Sequence, residues 1–280
     1  MVFWRSSLVL AFDAASVQGA RVTQGLRGRE VRALAQRPLD PGALRPLALE
    51  TNVVRPAEIR EAARAVVAEL GGAGRPGIVA LPDGVARLGL LDVAPGTDAR
   101  EYARFRLGPQ LPYPASDAIV DVSPLGGGRF LAAAVRRDIA AEYEALAEAA
   151  GLAADRVDLA PVAALTALRE RDKGAHLDVV LGDAAFSVAF FDNQAVLALR
   201  SRRRDPGPDE AERIGREVER TALLGPAGTT ARVRVVGPGA RRVAEALNAA
   251  GFQAQAGWGD MPRLPAAATE ELAWLAVGLA

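Results

Sequence analysis

Short apolar runs at strand length, then amphipathic stripes at helical spacing, occur along this chain in an order that appears twice. The first copy opens with predicted strands at Ser7–Phe12, Val17–Leu26 and Val31–Gln36, with Arg27-Gly28-Arg29 as a hairpin turn between the last two. A Pro-rich passage from Pro38 to Pro46 leads to a predicted helix over Pro56–Leu70. Its apolar stripe is Ile59, Ala63, Val66, Val67 and Leu70, with Pro56 suited to the first helical position and Gly71-Gly72 ending it. Gly77–Leu81 reads as a buried strand. The region from Pro82 to Gly128 is less regular and contains a helical piece at Asp98–Leu107, with Gly126–Gly128 as a hairpin turn. Phe130–Val135 is a strand, and Asp138 is the expected cap of a helix carrying Ile139, Tyr143, Leu146 and Ala150 on one face. A short strand near Arg156–Leu159 and an alanine-rich helix to about Glu170 follow, and Arg171–His176 is the expected linker.

The second copy starts at Leu177–Leu181, Ser187–Phe191 and Ala195–Arg200, three strands with turns at Gly182-Asp183 and Asp192-Asn193. A helix over Asp209–Leu224, a strand at Arg232–Val236, a Gly237-Pro238-Gly239 turn and a helix over Arg241–Ala250 come next. The last stretch, Thr269–Ala280, is expected to be a helix. Strand, turn, strand, strand, helix, strand, helix is thus written twice. An α/β fold of two actin-like lobes, a duplicated ribonuclease H-like unit with a small inserted subdomain, accounts for that order; an unrelated pair of α/β domains is the plainer alternative. The boundaries expected are residues 1–175 for the first lobe, with the insertion at about 82–150, residues 176–265 for the second, and 266–280 for a helix returning to the first. LVLAFDAASVQGARV and DVVLGDAAFSVAFFD then stand at equivalent places, each reaching an aspartate, Asp13 and Asp183, before Ala-Ala.

Composition narrows the chemistry. The 280 residues include 34 basic and 34 acidic side chains, so no overall field draws the chain to nucleic acid or an anionic membrane. Cysteine is absent, which removes thiol nucleophiles and Cys-ligated zinc, and with His176 as the one histidine a multi-His metal site is excluded. The apolar run after Arg5 is too short for a signal sequence or a membrane span, so a soluble, cytoplasmic protein is expected. Arg200-Ser201-Arg202-Arg203-Arg204 is basic enough to meet an acidic partner or lipid headgroups, though a solvated loop is the commoner meaning of such a run.

Several segments, in order, resemble the PilM family of type IV pilus assembly proteins and, beside it, the cytoplasmic domain of the type II secretion protein GspL. LVLAFDAASVQGARV is similar to the family's opening strand and first phosphate hairpin, and LPYPASDAIVDVSPL to its Pro-aromatic-Pro segment and acidic strand. FLAAAVRRDIAAEYEALAEAAGL, VDLAPVAALTAL, VVGPGARRVAEAL and ELAWLAVGLA resemble the segments that follow. The resemblance implies a cytoplasmic scaffold beneath an inner-membrane platform. Such a scaffold holds the N-terminal peptide of a PilN-like membrane partner beside the extra subdomain, where Tyr113 lies, or recruits a motor ATPase as GspL does.

It also implies a nucleotide cleft between the lobes, holding ATP with magnesium through the two hairpins. Asp13, Ser16, Asp183, Gly237 and Gly239 are the positions that match. Here the matches thin out. Ala15 replaces a glycine, Ala184-Ala185 replace the second glycine step, Phe186 is bulky where phosphate would pass, and Ser201–Pro208 replaces paired glycines. The expectation is a scaffold with a degenerate nucleotide site that no longer hydrolyses ATP; the alternative is a working nucleotide-gated switch of the same fold. For both aspartates the plainer role is turn capping.

Overall fold

The computed structural model describes residues 5–25, 28–72, 76–169, 174–205, 207–225 and 232–257. The expected C-terminal helix, Arg27 of the expected Arg27-Gly28-Arg29 turn and residues 171–173 of the expected linker lie outside the described residues. The first lobe opens with three antiparallel strands, β1 (Arg5–Phe12), β2 (Ser16–Gly25) and β3 (Gly28–Pro38). Helix α1 (Pro56–Glu69) crosses over to β4 (Pro76–Leu81), which lies parallel to β1. Next come β5 (Ala86–Asp92), α2 (Ala99–Leu107), β6 (Ala118–Gly126) and β7 (Arg129–Arg136). Their strands form a separate three-stranded sheet in the order β5-β7-β6. Helix α3 (Arg137–Ala149) brings the chain back to β8 (Ala153–Leu159), parallel to β4, and α4 (Ala160–Arg169) leaves the lobe.

The second lobe repeats this without the insertion: β9 (His176–Leu181), β10 (Ala185–Asp192), β11 (Ala195–Arg203), α5 (Glu210–Ala222), β12 (Arg232–Val236), α6 (Ala240–Ala249) and β13 (Gln253–Ala256). The sheet orders are β3-β2-β1-β4-β8 and β11-β10-β9-β12-β13, the same topology twice. In both, the first three strands are antiparallel and the last two run parallel to the first. The expected duplicated α/β fold is the one observed.

Each of these two five-stranded sheets is covered on both faces, which is why β1 is apolar without alternation from Leu8 to Phe12. Leu8, Leu10 and Phe12 of β1 pack with Ile59, Val66, Ile139 and Tyr143 under α1 and α3, while Val9 and Ala11 face Ala163 of α4. On the second sheet Leu177 and Val179 meet Ile214, Val218, Val243 and Leu247, and Val180 and Phe191 meet Leu165 and Leu168 of α4. The alanine-rich α4 is therefore the wedge between the two sheets, and its small side chains let both lobes approach it. At Gly19 a Cβ would stand 2.5 Å from Val66 Cγ1 and 2.7 Å from Leu70 Cδ1, so α1 sits on β2 at a spacing only glycine permits.

Some local details differ from the sequence reading. Asp138 lies inside the first turn of α3, whose N-cap is Arg136 without a side-chain cap. Asp98 does cap α2, accepting from Arg100 N and Glu101 N. Residues 86–136 make the inserted sheet, whereas α3 contributes Ile139, Tyr143 and Leu146 to the first-lobe core. The basic run is the end of edge strand β11 rather than a loop. His176 begins β9 but is 3% exposed, its ring stacked on Phe191 at 5.1 Å between centroids.

Candidate functional site: the interlobe cleft

Both lobes present the C-terminal end of their first strand, and the hairpin that follows it, to one cleft. In the first lobe the turn closes through Asp13 N donating to Ser16 O at 2.9 Å, and β3 exits with Leu39 N donating to Ala15 O at 2.8 Å. In the second, Gly182 N donates to Ala185 O at 2.9 Å and Arg204 N to Ala184 O at 2.8 Å. Phe12 pairs with Val17 and Leu181 with Phe186, which fixes the equivalence. Asp13 thus corresponds to Gly182, and Asp183 to Ala14. The two Asp-Ala-Ala stretches look alike in sequence but are offset by one residue in the fold.

That offset gives the aspartates different neighbours. Asp13 Oδ1 accepts from Ala14 N at 2.8 Å, an ordinary turn contact. Asp183 reaches across to the first lobe, where its Oδ2 accepts from Ala15 N at 3.2 Å. A third carboxylate, Asp83, follows β4 at the Pro82-Asp83 strand end and reaches the other way. Its Oδ2 accepts from Ala185 N at 2.9 Å, and the Ala184 N–H also bonds this carboxylate. The contact is tight, since a Cβ on Gly182 would lie 2.0 Å from Asp83 Oδ2. Each hairpin therefore gives at least one backbone N–H to a carboxylate of the opposite lobe: Ala15 N to Asp183 and Ala185 N to Asp83.

Arg204 closes the group. Its guanidinium donates to Gly182 O at 2.6 Å, Pro238 O at 2.8 Å and Glu210 Oε1 at 2.6 Å, and Glu210 is also paired with Arg242. Burial pushes the Asp83 carboxyl up to about 7, with Asp183 adding to the rise and the Ala185 and Ala184 N–H groups and Arg204 opposing it. Asp13 is raised well above the usual carboxylate range, first by burial and then by the Asp183 and Asp83 charges, and it is hydrogen-bonded to Asp183. Burial lowers Arg204, against the raising effect of the three aspartates.

The cleft, these aspartates included, encloses about 260 Å³ and is otherwise mainly apolar, with Ala11, Ala160, Pro161, Ala164, Val180 and Val236 along its walls. That volume falls just under the range of about 300–1,000 Å³ typical of small-molecule sites. Ser16 lines it and is buried, its Oγ accepting from Gln18 Nε2 at 3.0 Å and Gln36 Nε2 at 3.1 Å. Gly237 also lines it, whereas Gly239 caps α6 in the left-handed region at φ 81°. Phe186 does not face this cleft; it is 5% exposed in the second-lobe core beside Ile214 and Val218. Tyr113 is apart from all of these, 9% exposed in the inserted subdomain's own core with Leu107 and Ala118.

Anionic phosphate oxygens are held by free backbone N–H groups and cations. As arranged, this cleft presents three carboxylates, and the Ala14, Ala15 and Ala185 N–H groups already have carboxylate acceptors. Among the described residues no group of three His, Cys, Asp or Glu side chains is placed to hold a metal ion. The sequence reading missed Asp83 and the inward turn of Arg204. The available signal for Asp83 was its position, an acid directly after a buried parallel strand, where α/β sheets gather their ligands.

No protein-family model matches the sequence, and no curated protein matches it. Solved structures do. The fold is similar to that of the "PilM-PilN type IV pilus biogenesis complex", at a TM-score of 0.72 and 18% identity, over 89% of this chain and 87% of that one. It is also similar to the cytoplasmic domain of EpsL, an inner-membrane component of the type II secretion system of Vibrio cholerae, at 0.53 and 13%, over 84% and 83%. A protein of unknown function with the actin-like ATPase fold from Bacteroides thetaiotaomicron matches at 0.59 and 10%, over 90% of each chain. The chain has the actin-like fold. No helix among the described residues is long and apolar enough to cross a membrane.

Proposed function

We propose that this chain is a cytoplasmic scaffold of an inner-membrane type IV pilus or type II secretion assembly platform. Its task is to hold the cytoplasmic N-terminal peptide of a PilN-like membrane protein, and it does so without hydrolysing nucleotide. The observation that carries the reading is the likeness to the PilM–PilN complex over nearly nine-tenths of both chains. The crossed carboxylates support its silent-cleft half, since they occupy the N–H groups a phosphate would need.

The test is binding of a fluorescent peptide with the sequence of the cytoplasmic N-terminus of a PilN-like protein from the same organism, followed by anisotropy with and without millimolar Mg-ATP. Saturable binding that ignores Mg-ATP is expected, together with an unchanged melting temperature in the nucleotide. A ligand at about a hundred times its Kd adds about 2.7 kcal/mol of stability, which for a protein this size raises Tm by about 5 °C or more. A rise of that size, or peptide affinity that follows nucleotide, would replace the silent scaffold by a nucleotide-gated one.

A further inference from the structure

Two facts about the cleft have no counterpart in a simple turn-capping role. The carboxylates cross: Asp183 leaves the second lobe to accept from Ala15 N at 3.2 Å, and Asp83 leaves the first to accept from Ala185 N at 2.9 Å. The crossing also sits at the cleft, whose lining includes Ala15, Asp83, Gly182 and Asp183, and free backbone N–H groups at such hairpins are a means of binding anions. Ala185 is buried, and a buried N–H left unpaired is costly, so the second hairpin needs an acceptor when no ligand supplies one; Ala15 on the first hairpin is exposed.

We propose that Asp83 and Asp183 form a reciprocal interlobe clamp in which each carboxylate serves as a built-in anion for the opposite hairpin, holding the lobes closed without ligand and denying the cleft to phosphate. This rests on the silent-cleft reading above and adds to it the residues responsible. Arg204 makes the clamp specific, because its guanidinium fixes Gly182 O and Pro238 O and so sets the second hairpin at the depth Asp83 can reach. Ala15 and Ala184-Ala185 fit the same logic: methyl groups are tolerated there because a planar carboxylate, not a tetrahedral phosphate, approaches the backbone.

The experiment uses the full chain and four variants: Asp83→Ala, Asp183→Ala, the double alanine variant, and Asp83→Asn, which keeps an oxygen acceptor without the charge. Lobe separation is read by small-angle X-ray scattering, and anion entry by calorimetric titration with inorganic pyrophosphate at pH 7.5. The unaltered protein and Asp83→Asn are expected to stay compact and to take up no pyrophosphate at millimolar concentration. The alanine variants should show a larger radius of gyration that shrinks on adding pyrophosphate, with affinity at least tenfold above the unaltered protein. If the double variant does not fold, Asp183→Ala, whose side chain is part-exposed, carries the test alone. Alanine variants as compact as the unaltered protein, and equally indifferent to pyrophosphate, overturn the clamp and leave the silent scaffold standing. Tight pyrophosphate or Mg-ATP binding by the unaltered protein overturns the silent cleft itself.

Discussion

The Arg204 guanidinium meets the Glu210 carboxylate at 2.6 Å, with 7% and 2% of their side chains exposed. One residue ends the β11 arginine run and the other opens α5, so the pair ties the edge of the second sheet to its covering helix. Arg204 also spends two donors on the Gly182 and Pro238 carbonyls, which join the hairpin to the turn after β12. Arg204→Ala leaves those carbonyls and a buried carboxylate short of a partner, and breaking a buried pair this way costs about 3–5 kcal/mol. Arg242 still reaches Glu210, which places the expected loss near the lower end. Urea unfolding should give the Arg204→Met/Glu210→Leu double variant a smaller loss than Arg204→Ala alone. Equal losses would mean that the carbonyl contacts, not the uncompensated charge, carry the effect.

The cleft carboxylates give stability a direction with pH. Asp83 is held at about 7 in the folded protein, against about 4 in an unfolded chain. Between those values the native state binds more protons, so stability falls as pH rises from about 4 through 7. Asp13 is raised as well and acts in the same sense. The groups facing Asp83 are Asp13, Asp183 and Arg204, with Tyr143 close enough that, after burial and the Glu142 charge, the Asp13 and Asp83 charges add to the rise of its hydroxyl. The protein should therefore melt several degrees higher at pH 5.5 than at pH 8, and Asp83→Asn should flatten most of that slope. A melting temperature that climbs from pH 5.5 to pH 8 would contradict this picture of the cleft.

Behind the cleft, Tyr143 and Asn52 form a fully buried polar contact. The Tyr143 hydroxyl donates to Asn52 Oδ1 at 2.8 Å, while Asn52 also bonds the backbone of Leu47 twice and Glu50 O once. Tyr143→Phe should cost about 1 kcal/mol, the usual net worth of one hydrogen bond. Asn52→Ala loses the three side-chain bonds to Leu47 and Glu50 together with the Tyr143 contact and should cost at least twice as much in a chemical denaturation series.

The duplicated order of elements was legible because periodicity survives even where residues diverge: β1 is apolar from Leu8 to Phe12, β9 at Leu177, Val179, Val180 and Leu181, and the α1 stripe lands on the sheet as spaced. The cleft was not legible, for a physical reason. The match between FDAA and GDAA invites an alignment on the aspartate, but the strand pairing of Phe12 with Val17 and Leu181 with Phe186 shifts it by one residue. Nothing local to either hairpin announces that shift. Asp83 was passed over because its partner N–H groups lie about a hundred residues away, and no spacing rule spans lobes. Asp178 is a similar case, an acid inside the buried β9 that Arg234 of β12 neutralises at 3.0 Å. Gly237 and Gly239 were read as a matching pair, yet the structure gives them different duties.

That difference sets the last prediction. A Cβ on Gly237 would lie 2.0 Å from the Leu181 carbonyl oxygen, at φ 99°. The obstacle is backbone at the end of β9, which cannot move without disturbing its pairing with β12. At Gly239, φ is 81°, and the nearest atom to a Cβ is the terminal Arg204 Nη2 at 3.2 Å, which can give way. Gly239→Ala should then cost about 1–2 kcal/mol, the strain of a left-handed alanine. Gly237→Ala adds a collision with main chain to comparable strain and should cost more, with the shift seen both in urea midpoint and in faster amide exchange at Val236. A Gly239 variant as damaged as the Gly237 one would mean that Arg204 is held too rigidly to yield, and that the guanidinium, rather than the strand, is the stiff element of the cleft.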